Sequence, residues 1–150
     1  IQDTGHRAQR GFTLIEFIVA MSLVSILSTM AIGNFMGSQK RGRDVRRQSD
    51  LNQYRVALEN YSTNNQGGYP AATGDQNVLS PLLVPNYLPT IITDSGGQTY
   101  YYYGDTLNYV LYTCTEVQKK AYEICSNGKS GVTTKLCTDT TALNNTTCDL

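Results

Sequence analysis

Tryptophan is absent from this chain, and histidine occurs once, at His6. That single imidazole lies in a polar N-terminal segment, read below as removable, so no Ser–His or Cys–His pair is available for nucleophilic catalysis. No P-loop or dinucleotide fingerprint is present either. The chain therefore reads as a non-enzyme with no cofactor. Close C-x-x-C pairs are missing, which argues against a zinc site and leaves no metal ligands to name. Net charge is also missing, since twelve basic residues balance twelve acidic ones. A nucleic-acid interface needs a basic face over the folded domain, and the composition does not supply one.

The charge that is present is unevenly placed. Six bases (Lys40, Arg41, Arg43, Arg46, Arg47 and Arg55) stand against Asp44 and Asp50, whereas from Val56 onward four lysines face eight acids. The basic cluster is expected to be a solvated helix face or a contact for lipid headgroups. DNA is a lesser partner reading for the same residues. All four cysteines (Cys114, Cys125, Cys137 and Cys148) lie in the last third of the chain, separated by ten, eleven and ten residues. An even number in a polar tail implies two disulfides and an oxidising compartment. Four cysteines allow three connectivities, and the sequence does not choose among them. Sequential pairing, Cys114 with Cys125 and Cys137 with Cys148, is the working expectation.

Residues 12–36 form a largely apolar run of 25 residues. As a helix it would rise ~37 Å, enough to cross a ~30 Å hydrocarbon core. Ser22, Ser25, Ser28 and Thr29 do not forbid this, because their hydroxyls can bond the preceding turn. Beyond it, Val45, Leu51, Tyr54, Leu58 and Tyr61 recur at helical spacing, with Asp50, Gln53 and Arg55 on other faces, so residues 37–63 read as the amphipathic half of one long helix. "NNQGGYP" (64–70) ends it. A short helical turn is expected around Val78 to Val84. Tyr100 to Tyr103 and Asn108 to Thr113 read as a hairpin opened at Gly104-Asp105, with the tyrosines alternating in a half-buried sheet. Glu116 to Glu123 reads as a short helix and Val132 to Cys137 as a third strand.

One residue breaks the apolar run. Glu16 is a carboxylate where a lone charge is expensive and therefore points to function. It lies in "RGFTLIEFIVAM" (10–21), which resembles the type IV prepilin signature of a short basic leader ending in Gly, then Phe-Thr-Leu-Ile-Glu and a long apolar helix. "RRQSDLNQYRVALENYSTNNQGGYP" (46–70) is similar to the following segment in the subgroup that holds major pseudopilins of type II secretion and related pilins. The resemblance covers roughly the first half of the chain.

It implies that residues 1–11 are a leader cleaved after Gly11 by prepilin peptidase. Phe12 then becomes a new, N-methylated terminus. Glu16 would meet the ammonium of Phe12 on a neighbouring subunit and set the register of a filament. It further implies a subunit that waits in the cytoplasmic membrane, in contact with its lipid, and polymerises with its own kind into an extracellular surface filament. A pilus assembly platform and ATPase would drive that step. Two positions depart from the family's usual pattern, since Gly33 stands where proline is frequent and Ser25 where glycine is frequent. Secretion-type members typically end in an acidic calcium-binding loop without cysteines, so the four cysteines here favour a pilus-type subunit. By the positive-inside rule the cluster at 40–47 would hold its side in the cytoplasm; the leader motif and the disulfide tail are given more weight.

The expected architecture is α+β: a long N-terminal helix, transmembrane over 12–36, whose amphipathic half packs on a small antiparallel sheet within a globular domain over 64–150, stapled by disulfides near its C-terminus. Alternatives are a type II secretion pseudopilin, a minor pilin, or a single-pass anchor carrying an extracytoplasmic binding domain.

Overall fold

The computed structural model describes residues 11–137 together with Cys148 and Leu150, and omits the side chains of residues 30–34. Residues 1–10, on which most of the expected leader falls, and residues 138–147 and 149 lie outside the described residues. One α-helix, α1, runs without interruption over Leu14–Asn64. From Leu14 to Leu27 it exposes apolar side chains all round, and the hydroxyls of Ser22, Ser25 and Ser28 donate to the carbonyls of Ile18, Met21 and Val24 at 2.6–2.8 Å. These bonds satisfy the hydroxyls without partners from outside the helix. Among the described residues no helix is long and apolar enough to cross a membrane. The run expected to do so passes through residues 30–34, whose side chains are outside the description.

The chain divides into two compact units, Ile1–Ser38 and Gln39–Leu150. In the second unit, α1 is followed by β1 (Thr73–Asp75), a 3-10 turn (Gln76–Leu79) and α2 (Ser80–Leu83). Then come β2 (Tyr101–Gly104), β3 (Tyr109–Cys114), β4 (Lys120–Cys125) and β5 (Ser130–Leu136). The five strands pair in chain order, and every pairing is antiparallel. The α+β architecture, the helical turn near residue 80 and the tyrosine hairpin are thus as expected. Two expectations need correction. Glu116 to Glu123 is no helix, since the chain turns after Thr115 and Lys120–Cys125 is a central strand. The strand near Val132 is the fifth in the sheet and begins two residues earlier, at Ser130.

The core lies between α1 and one face of the sheet. Leu51, Tyr54, Ala57 and Leu58 pack with Tyr100, Tyr102, Tyr109, Leu111 and Ile124, closed by Leu79, Leu83 and Leu88. The tyrosine run alternates as a strand must. Tyr102 turns to the helix side, while Tyr101 and Tyr103 stack on Tyr112 on the other face at 5.0 and 5.8 Å. That face is not solvated, for β3 is buried over its first five residues. Close packing also dictates Gly104: a Cβ there would overlap the Tyr102 hydroxyl and reach the Pro70 carbonyl at 2.7 Å.

On α1, Leu51, Tyr54 and Leu58 are buried as expected, but Val45 is 64% exposed and its neighbours Asp44 and Arg47 are buried instead. Asp50, expected on another face, is also buried and accepts a 2.6 Å hydrogen bond from the Tyr100 hydroxyl. Desolvation, reinforced by that carboxylate, drives the Tyr100 hydroxyl far above the ordinary tyrosine range.

The disulfide order is also corrected. Cys114 joins Cys137 and Cys125 joins Cys148, with Cα–Cα distances of 5.7 and 5.9 Å. Strand register explains why. Cys114 lies opposite Ala121 at one end of β3–β4, while Cys125 lies opposite Val110 at the other. An antiparallel β5 returns Leu136 to Lys120, so Cys137 arrives at the Cys114 end. The sequential pairing would have had to bridge the length of the hairpin.

Candidate functional site: the helix start and the body clamp

The start of α1 carries the residues singled out by the sequence. Thr13 is the N-cap: its hydroxyl accepts from the Glu16 amide at 3.3 Å, and its own amide and hydroxyl each donate to Glu16 Oε2 at 2.9 Å. This is a capping box, with Thr and Glu three residues apart satisfying each other's end groups. Glu16 therefore has a local role in helix initiation that its charge alone did not reveal. It is exposed, and so are Gly11 and Phe12. While the Gly11–Phe12 peptide bond is intact, the Phe12 nitrogen is a neutral amide. Cleavage would turn it into an ammonium four residues from Glu16.

Around this start the helix surface is apolar on all sides. Leu14, Ile15, Phe17, Ile18, Val19, Met21, Leu23 and Val24 are each more than half exposed. Successive residues point ~100° apart around an α-helix, so such a run leaves no polar face for water. A contiguous exposed apolar surface of this kind marks a protein or membrane contact.

The second unit holds a cluster that the sequence reading missed. Arg47, taken for part of a solvated basic face, is 1% exposed. Its guanidinium meets Asp44 at 3.0 Å, Asp94 at 2.9 Å and Glu116 at 2.5 Å. Arg43 forks onto both oxygens of Glu116 at 2.8 and 2.7 Å. Asp44 in turn accepts from the backbone amides of Glu116 and Val117, and Asp94 from those of Gly96 and Gln98. One helix turn thereby grips both the β3–β4 turn and the loop before β2. The Arg43 fork and then Arg47 hold the Glu116 carboxyl down at about 2. Burial acts to raise Asp94, but the Arg47 bond and the Gln98 amide outweigh it and lower its pKa. A signal was available: positions 47, 51, 54 and 58 form one helical stripe, and Arg47 lies on it.

Residues 6–32 match the family described as the prokaryotic N-terminal methylation motif. Beyond that motif, the chain is similar to proteins named type II secretion system core protein G. That of Pectobacterium carotovorum subsp. carotovorum is 32% identical over 87 residues, covering 58% of this chain and 53% of the relative. That of Aeromonas hydrophila is 32% identical over 92 residues, covering 60% and 62%. That of Escherichia coli K12 is 32% identical over 66 residues, covering 39% and 46%. The chain spans about half the length of the relatives it matches. No solved structure matches it. The motif, the long helix and these relatives agree in supporting the type IV pilin and pseudopilin family for this chain, a family of structural subunits rather than enzymes.

Proposed function

We propose that this chain is a pseudopilin-type subunit, held in the cytoplasmic membrane by residues 12–36 and polymerised with its own kind into a periplasmic filament of a secretion machine. The observation that carries the reading is the apolar surface of α1 from Leu14 to Leu27, exposed on every face. Such a surface needs lipid first and neighbouring helices afterwards. Prepilin peptidase would cut after Gly11 and methylate Phe12. Glu16 would exchange its capping bonds for the Phe12 ammonium of a neighbour, which neutralises two charges that burial would otherwise strand. The platform protein and motor ATPase of such machines are the further partners.

The named relatives weigh toward secretion and against the surface pilus favoured by the cysteine content. The pilus remains the second reading, because the paired cysteines are what the resemblance assigns to pilus-type members. Glu16→Ala in the host tests assembly: incorporation into filaments should fall at least tenfold while the protein stays in the membrane. Unchanged incorporation would remove the assembly role. Deleting the gene separates the two readings, since a pseudopilin's loss stops export of secreted proteins and a pilin's loss strips surface filaments.

A further inference from the structure

The body clamp changes what the basic cluster can do. Arg43 and Arg47 are consumed by Glu116, Asp44 and Asp94, so they present no free charge. Two guanidiniums against three carboxylates leave the clamp itself with one net negative charge. Of the basic cluster Lys40, Arg41 and Arg46 remain exposed, and Lys40 and Arg41 lie at this end with Lys119 of the β3–β4 turn, none of the four in an ion pair among the described residues. The three at this end are interleaved with apolar side chains: Leu136 is 53% exposed, Val117 47% and Val132 36%. Two concavities join them. One, of 570 Å³, is lined by Lys40, Lys119 and Leu136, and the other, of 400 Å³, by Arg41, Val117 and Val132. Thr115 walls both.

We infer that this end of the second unit is a docking face for an anionic phospholipid surface. The inference rests on the membrane-anchored reading of residues 12–36 given above. Lys40 is the second residue of this unit, and the apolar run ends only at Met36, so the anchor brings Lys40 and Arg41 to the headgroup layer by connectivity alone. Lys40, Arg41 and Lys119 outnumber the one excess carboxylate charge of the clamp, and with exposed valine and leucine beside them they match an anionic interface, where the charges meet phosphates and the apolar groups enter the acyl boundary. The face excludes a free basic stripe of the DNA-binding kind, since Arg43 and Arg47 are already paired. In the unassembled subunit, docking would hold the body against the membrane, and polymerisation would have to lift it off.

The absence of tryptophan supplies the test. Gln118→Trp places a sole indole in the exposed β3–β4 turn, and Leu107→Trp places one in the β2–β3 turn at the other end of β3. The full chain is reconstituted into phosphatidylcholine vesicles with or without phosphatidylglycerol, and quenching by brominated lipid is read. Quenching at position 118 should rise severalfold with phosphatidylglycerol while position 107 stays unquenched. Lys40→Gln, Arg41→Gln and Lys119→Gln should each weaken the docked population about fivefold, the equivalent of about 1 kcal/mol per basic group at such a surface. An inserted chain whose indole at position 118 ignores phosphatidylglycerol overturns the docking face alone. A chain that alkaline carbonate strips from the vesicles overturns the anchored reading and the docking face with it. A response of the same indole to duplex DNA in place of phosphatidylglycerol reassigns the face and also overturns the proposal.

Discussion

Arg47 shows how far one side chain's position can depart from its type. A long charged residue in a basic run reads as solvated, and its partners Asp94 and Glu116 lie 47 and 69 residues away, invisible to local pattern. Only the stripe through Leu51, Tyr54 and Leu58 pointed inward at 47. Removing one partner from a buried ion cluster leaves the others unpaired, so Arg47→Ala should cost about 3–5 kcal/mol of stability. Exposed Arg46→Ala should cost close to nothing; comparing the two melting curves by circular dichroism in detergent checks this. The cluster also sets a pH dependence. Glu116 titrates near 2 in the fold against an ordinary 4.5, a lowered pKa, so its contribution is complete above pH 4.5 and drains away toward pH 2. At the alkaline end, burial raises the Tyr54 hydroxyl to about 12 from 10, so stability is complete below pH 10 and lost as pH climbs through 12. Melting temperature should therefore be flat between about pH 5 and 9 and fall on both flanks. A steady decline from about pH 7 to 5 would contradict the assignment.

Elements were legible where their burial was one-sided and obscure where it was not. The second half of α1 buries one stripe, and the tyrosine hairpin alternates cleanly, so both announced themselves. β4 did not: in "KAYEIC" the residues from Glu123 to Cys125 are all buried, so no alternation survives to be read. The cysteine order was hidden for a related reason, because it depends on β5 folding back beside β4, a register that no spacing encodes. Peptide mapping without reductant should link Cys114 to Cys137 and Cys125 to Cys148, and a Cys114–Cys125 peptide would refute the sheet's register. Each bond closes a loop with a sequence separation of 23. Replacing both members of either pair by serine should then cost about 3 kcal/mol.

The molecule as a whole combines a helix that water cannot cover with a small body tied by an ion cluster and two disulfides. The family resemblance could be read from "RGFTLIEFIVAM", because the motif, the helix cap and the start of the apolar run all fall within twelve consecutive residues. Which kind of filament the proposed subunit would enter was not legible there, since the resemblance covers only the first half of the chain. The central claim is that the chain is processed and assembled with its body oxidised. The intact mass of the subunit in assemblies isolated from the envelope, taken with and without reductant, tests this most directly. The account requires a chain that begins at methylated Phe12 and gains four hydrogens on reduction, two for each disulfide. A chain that keeps residues 1–11, or one found in the membrane and never in assemblies, would contradict it and favour a monomeric anchored domain.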